Sequence, residues 1–213
     1  MYLSRVQIDS HNRQKIKDLT HAGAYHNWVE RSFPEEFESG ERSRKLWRLD
    51  RLQGKDYLLL VSEEKPDKGQ LERYGVPGSA ETKSYDAFLS QIEEGMRLAF
   101  RVTLNPVISK SSGEQGERGR VMPHVTEEHQ RQFLLDRSEK NGFLLKEEDF
   151  KIVESKHALV KKTGQRNLRL IQVAYEGVLT VADKEQFIKT LTQGFGKKKA
   201  YGFGLMTVIP LRD

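Results

Sequence analysis

Two hydrophobic periods alternate along the chain, and their order predicts the fold. Residues 2–8 place Tyr2, Ser4, Val6 and Ile8 on one face and Leu3, Arg5 and Gln7 on the other, which reads as a strand. Ser10 or Asn12 can cap a helix after it. Ala22, His26, Val29 and Phe33 then recur at helical spacing until Pro34 stops the pattern. Residues 45–52 and 57–61 read as strands joined by the turn residues Gln53, Gly54, Lys55 and Asp56. Residues 63–84 are polar, with two prolines and three glycines, and predict a loop holding at most a short helix. Residues 85–92 fit either a strand or a short helix.

Glu93, Glu94 and Gly95 mark a junction. Beyond it Leu98, Phe100, Val102 and Leu104 alternate cleanly with Arg97, Ala99, Arg101 and Thr103. Residues 109–120 are rich in Ser, Gly and charge and predict a loop. Thr126 caps a helix with Glu127 and Glu128 in its first turn, and Asn141-Gly142 ends it. Residues 150–160 and 167–181 read as strands around a polar turn at 161–166. Asp183 with Gln186 resembles a capping box, Gly194 ends the helix that follows, and residues 205–209 form a last strand. The second half is thus β-α-β-β-α-β, the ferredoxin-like order that RNA-recognition modules also use, and the first half follows it more loosely. The expected class is α+β, two tandem ferredoxin-like (RRM-like) domains at residues 1–93 and 96–213.

Composition narrows the function. The 213 residues include no cysteine, which excludes disulfides and thiolate metal sites. No apolar run reaches membrane-spanning length and the start lacks a secretory pattern, so the expectation is a soluble cytoplasmic protein with no membrane partner. Residues 1–95 carry 15 Lys/Arg against 17 Asp/Glu, and residues 96–213 carry 21 against 14, nets of −2 and +7. A basic second half suits a polyanion, and a solvated basic surface would read the same.

The densest local signal is the run at 194–204, with Gly194, Gly196, Gly202 and Gly204 around Lys197, Lys198 and Lys199 and the aromatics Phe195, Tyr201 and Phe203. Glycines permit close backbone approach, exposed N–H groups can meet phosphate oxygens, and the aromatics could pack or stack on a base. The loop follows a helix and lacks the Gly-Lys-Ser/Thr order, so it is no nucleotide P-loop. His26, on an apolar stripe, reads by spacing as a packed residue or as a proton-transfer group. His21 with His26, and His124 with His129, are each five apart and do not share a helix face as metal ligands, so neither a metal nor another cofactor is expected.

These motifs carry a resemblance. Residues 177–181, the following helix and residues 194–205 are similar to the C-terminal signature of the CasE-type endoribonucleases of type I-E CRISPR systems. Residues 1–6, His26 with Phe33-Pro34 seven residues on, 101–106 and 118–121 match in the same order. The resemblance implies two ferredoxin-like domains that bind the hairpin of a CRISPR repeat and cleave the precursor transcript at the 3′ base of the stem without a metal. It also implies that the protein stays on its product with the other Cascade subunits, and that His26 is the catalytic histidine. Such a reaction needs the 2′-OH deprotonated, the 5′-oxygen protonated and the sugar held in line, and gives a 2′,3′-cyclic phosphate and a 5′-OH. Several members carry a tyrosine three residues before the histidine. Gly23 stands there, with Tyr25 nearby as a second catalytic candidate if a non-helical turn lets it reach the phosphate, or as a packing residue. A lysine of the 197–199 run could serve instead. Against the RNA stem the expected contacts are Lys156, Lys161, Lys162, Arg166 and Arg169 on the basic hairpin, Arg118 and Arg120 after the flexible loop, and Lys197, Lys198 and Lys199. Arg97 and Arg101 are weaker candidates, and Trp28 and Trp47 are expected in the core. Two other readings remain: a non-cleaving hairpin-binding subunit, and a ferredoxin-like interaction protein with a basic surface.

Overall fold

In the computed structural model, which describes residues 1–110, 120–161 and 167–211, the chain builds two main antiparallel sheets of one topology. The first half runs β1 (Tyr2–Gln7), α1 (Arg13–Ile16), α2 (Ala22–Arg31), α3 (Pro34–Ser39), β2 (Lys45–Leu52), β3 (Lys55–Ser62), α4 (Lys68–Leu71), β4 (Glu81–Ser84) and α5 (Asp86–Leu89). Its strand order is β2-β3-β1-β4. The second half runs β5 (Arg97–Leu104), β6 (Val107–Lys110), β7 (Arg120–Pro123), α6 (Glu127–Ser138), β8 (Phe143–Leu144), β9 (Phe150–Val160), β10 (Leu168–Val181), α7 (Lys184–Gln193) and β11 (Met206–Pro210). In its sheet β11 pairs β5, β5 pairs β10, and β10 pairs both β9 and, at its far end, β8. With β9 as the second strand, both sheets follow the ferredoxin order. The fold is α+β with two tandem ferredoxin-like units.

Local chemistry accounts for most element boundaries. Asn12, Thr126 and Asp183 cap α1, α6 and α7, each accepting a backbone N–H three residues on. Gln53 and Gly54 hold φ of 50° and 76°, the left-handed pair that closes a two-residue hairpin between β2 and β3. Pro34 does more than stop a helix. α2 ends at Arg31, and Pro34 opens α3 at its first position, where its missing N–H costs nothing. Residues 85–92 resolve to the short helix α5 rather than a strand.

Three features depart from the sequence reading. β4 lies inside the stretch expected as loop. Its residues Glu81, Thr82, Lys83 and Ser84 bury little, because an edge strand pairs on one side only, here with β1. Ser4 and Thr82 hydroxyls meet at 2.9 Å, and Arg5 pairs with Glu81 at 3.0 Å. β6 and β7 pair from Val107–Pro123 to Lys110–Arg120, framing part of the expected loop. Third, the two units share a core. Leu46, Val61, Tyr85, Leu89 and Ile92, all ahead of residue 93, are buried in one cluster with Leu98, Phe100, Val102 and Leu104 of β5.

The seam between the units is polar at one point. Arg48 of β2 is 1% exposed. It donates to the carbonyls of Arg101 (2.7 Å) and Leu205 (2.9 Å), to the Thr207 hydroxyl (2.8 Å) and through two nitrogens to Asp50 (2.7 and 2.6 Å). Arg101 Nε approaches Asp50 at 3.2 Å without a hydrogen-bonding angle, and its guanidinium also pairs with Glu176. Arg101, expected on an outward face, is therefore held in the seam by two carboxylates.

Candidate active site and nucleic-acid interface

The site begins with α2. His21 is its N-cap: Nδ1 accepts the Gly23 N–H at 3.1 Å, which puts the ring proton on Nε2. The stripe that α2 buries runs through Trp28 (1% exposed), Val29 (0%) and Phe33 (4%). His26 sits on its flank, half-exposed. His26 Nδ1 lies 3.8 Å from a Glu30 oxygen one turn on. Glu30 itself is committed to Arg42 at 2.6 Å and to Lys45 at 3.9 Å. Burial holds the His26 imidazole below its ordinary range. Glu30 opposes that shift, and Arg42 and Lys45 add to it, so the net direction is down. That direction favours the neutral ring near pH 7.

Ala22, Gly23 and Ala24 are helical, which removes the non-helical turn that would have let Tyr25 reach a phosphate. The Tyr25 ring instead stacks on Trp47 (centroids 6.0 Å, 24° between planes) and tilts against Trp28 at 6.4 Å. Burial first, and then Asp56, push its phenol up from the usual range. A Cβ at Gly23 would lie 3.0 Å from the His21 ring and 3.7 Å from the Lys161 carbonyl, so the space beside Gly23 is filled by its cap and by the end of β9.

The glycine-lysine loop packs against this helix and against β2. Gly202 (φ 86°) presses on Trp47, whose ring a Cβ would meet at 2.8 Å, and Gly204 (φ 86°) would drive a Cβ to 2.5 Å from the Phe195 carbonyl. These two glycines serve the loop's own close packing rather than an open phosphate cradle. Phe195 and Phe203 are buried at 5% and 1% exposure and are core residues, not stacking platforms. Tyr201 differs. It is half-buried at the end of a 3₁₀ turn (Lys199–Tyr201), and its ring meets the His26 ring edge-on at 6.2 Å and 68°. It also lines a cleft of about 210 Å³ with His21, Tyr25, Trp47, Lys156 and Leu159.

The expected cations separate into groups. Lys197 and Lys198 are exposed. Lys199 is half-buried and donates to the Gln193 and Gly194 carbonyls at 3.0 and 2.7 Å, closing the C-terminus of α7. Burial, with help from Arg44, holds its ammonium below the usual range. Lys156 lines the cleft and pairs with Glu154 at 2.9 Å, both side chains near half exposure. Lys161, just past β9, and Arg169 on β10 are exposed. Arg120 opens β7 in a hairpin apart from the main sheets. Lys162, Arg166 and Arg118 lie outside the described residues. Among the described residues no group of three His, Asp or Glu is placed to hold a metal, and the His124 and His129 rings stack at 5.8 Å.

The sequence model of the CRISPR associated protein family matches residues 1–210. The chain belongs to that family. Among CRISPR-associated relatives, the endoribonuclease Cse3 of Thermus thermophilus is 29% identical over 221 aligned positions, covering 99% of this chain and 100% of that protein. The Cascade subunit CasE of Escherichia coli K12 is 28% identical over 127 positions, 57% of this chain and 62% of that one. A solved structure of T. thermophilus Cse3, bound to an RNA representing a pre-cleavage complex, superposes with a TM-score of 0.80 at 26% identity, covering 98% of each chain.

Sequence reasoning did not single out Tyr201, which the structure sets against His26. It read as one of three loop aromatics. The only signal that could have singled it out is its flanking pair: Phe195 and Phe203 wholly apolar, Tyr201 alone with a hydroxyl.

Proposed function

We propose that this protein is a metal-independent endoribonuclease of CRISPR RNA processing. It binds the repeat hairpin, cleaves the precursor at the 3′ base of the stem by 2′-OH attack, and leaves a 5′-OH and a 2′,3′-cyclic phosphate. It then stays on the product as a Cascade subunit. The observation that carries this reading is His26: a half-exposed imidazole on a helix of the first ferredoxin-like unit, its ring against Tyr201 of the second unit's glycine-lysine loop, with burial favouring its neutral form. A neutral imidazole suits the general base for the 2′-OH. The full-length likeness to a protein named endoribonuclease Cse3, solved with a pre-cleavage RNA, supports the activity, and the CasE relative supports the Cascade role.

On this reading residues 1–93 bring the histidine and residues 96–213 bring the basic hairpin and the loop. Lys156, Lys161 and Arg169 on that hairpin, with Lys197 and Lys198, hold the stem backbone by charge and shape, since the A-form major groove admits no helix. Tyr25 forms the wall of the cleft. Lys162 and Arg166 of the same hairpin, and the second basic cluster Arg118 and Arg120, are further phosphate contacts by their charge.

One observation favours a second reading, a non-cleaving hairpin-binding subunit. Gly23 has no side chain to offer, and Tyr25 is packed on Trp47. Labelled repeat RNA incubated in EDTA decides between them. Cutting by the wild type, with a His26→Ala variant that binds but does not cut, supports the nuclease. Tight binding without cutting by the wild type supports the second reading. Normal cutting by His26→Ala would remove His26 from the site.

A further inference from the structure

We propose that Tyr201 is the second catalytic group of this site, the acid that protonates the leaving 5′-oxygen. The inference rests on the nuclease reading above and deepens it. Cleavage by 2′-OH attack needs two proton transfers, and His26 in one protonation state performs one of them. The partner must reach the same phosphate, so it must lie beside the His26 ring. The Tyr201 ring does, edge-on at 6.2 Å.

The fold fixes Tyr201 there from both sides. Lys198, before the 3₁₀ turn, holds a left-handed φ of 66°, and Gly202, after it, holds 86° against the Trp47 ring. Trp47 Nε1 donates to the Ala200 carbonyl at 3.2 Å, one residue from Tyr201. Together with Ala22 of α2, Ala158 of β9 and Leu168 of β10, Tyr201 packs against a buried cluster of Val160, Leu170 and Phe203. A left-handed non-glycine residue is uncommon and persists where its surroundings over-determine it, as at ligand sites.

The competing groups are otherwise engaged. Tyr25 is stacked on Trp47 and carries a phenol that burial makes a weaker acid. The Lys199 ammonium is bonded to two carbonyls at the end of α7.

The step balances without a co-reactant. Neutral His26 takes the 2′-OH proton, the 2′-oxygen bonds to phosphorus, and the bond from phosphorus to the 5′-oxygen breaks. Tyr201 gives its phenolic proton to that oxygen. The products are the 2′,3′-cyclic phosphate, the 5′-OH, an imidazolium and a phenolate. The imidazolium proton then returns to the phenolate, restoring both groups.

The test uses the full chain, single-turnover conditions and two repeat hairpins, one with the natural 5′-oxygen at the scissile linkage and one with sulfur in its place. A thiolate leaves without a proton, so the sulfur substrate needs no acid. Tyr201→Phe keeps the ring and its packing. It should cut the oxygen substrate at least about 10²-fold more slowly than wild type, the lower end of general-acid effects. Its hairpin Kd should be unchanged, and it should match wild type on the sulfur substrate. Equal defects on both substrates would make Tyr201 a positioning residue and overturn the proposal. So would a rate near wild type on the oxygen substrate. His26→Ala should be slow on both. If His26→Ala cuts both normally, the base assignment fails while the oxygen-sulfur contrast still judges Tyr201. A wild-type protein that binds the hairpin and cuts neither substrate removes the nuclease reading and this one with it.

Discussion

Replacing Arg48 tests whether the two ferredoxin-like units are joined by the polar contact in their seam. Arg48→Met keeps the aliphatic stem and removes the guanidinium. Five hydrogen bonds go with it: two to the Arg101 and Leu205 carbonyls, one to Thr207 and two to Asp50. Breaking a buried charge pair by removing one partner costs about 3–5 kcal/mol, because the remaining charge stays desolvated. Asp50 retains Arg101 at 3.2 Å, which puts the expected value toward the lower part of that range. At this chain length about 3–5 kcal/mol corresponds to roughly 6–20 °C in Tm. Urea unfolding followed by tryptophan fluorescence reads it directly, since Trp47 adjoins Arg48. The decisive arm is Asp50→Asn in both backgrounds. In the wild type it removes the carboxylate charge and turns one of the two accepting oxygens into an NH2 donor facing Arg48, and destabilises by about 1.5–3 kcal/mol. In Arg48→Met it removes a carboxylate already short of its main partner and should cost much less or stabilise. A loss below about 1 kcal/mol for Arg48→Met, the range of an exposed pair, would refute the argument. The same cost for Asp50→Asn in both backgrounds would refute it too.

Two further outcomes follow from the site. His26 must be neutral to act as base, so the single-turnover rate should rise with pH through the His26 pKa, which lies below its ordinary value, and level off above it. Arg42→Ala removes a charge that lowers that pKa and frees Glu30, which raises it, so the acid limb should move to higher pH; Glu30→Gln should move it lower. Limbs unmoved in both variants would mean that another group titrates. The lysine run should also divide by position. Replacing exposed Lys197 and Lys198 with alanine should reduce the slope of log K for the hairpin against log salt by up to roughly 2 and leave Tm unchanged. Lys199→Ala should do the reverse, lowering stability by about 1–3 kcal/mol through its two lost carbonyl contacts and sparing the salt slope. A common loss of slope across all three positions would contradict the separation.

The first strand of the second half, β5, was legible because it buries one whole face. Leu98, Phe100, Val102 and Leu104 alternate in the sequence and are all buried in the structure. β4 was not, because its edge position buries little and leaves no hydrophobic period to read. His26 was legible only through its motif context. By spacing it falls on the buried stripe, yet the stripe leans toward Trp28, and one step around the helix leaves the imidazole half-exposed. Arg101 misled for the opposite reason. Alternation places it on the face away from its own core, but a second sheet covers that face, and nothing local to the strand reports this. Tyr201 and the seam were illegible for the same cause, being contacts made across more than 50 residues of chain, and across 153 for Trp47 with Ala200.

That distance has a functional consequence. Trp47 and Arg48 are consecutive in β2, so their side chains leave the strand on opposite faces. Yet both reach the segment that carries Tyr201, Trp47 bonding the Ala200 carbonyl and Arg48 the Leu205 carbonyl. The strand thus holds the turn that presents Tyr201 at its middle and the chain again four residues beyond it. Trp47 also stacks on Tyr25, the neighbour of His26 on α2. One residue of the first unit therefore sets the position of the His26 helix and of the second unit's loop together. A slip between the units would move His26 and Tyr201 apart before it unfolded either sheet. If His26 and Tyr201 act together as proposed, the buried arginine serves register as well as stability, and the site belongs to the pair of units rather than to either one.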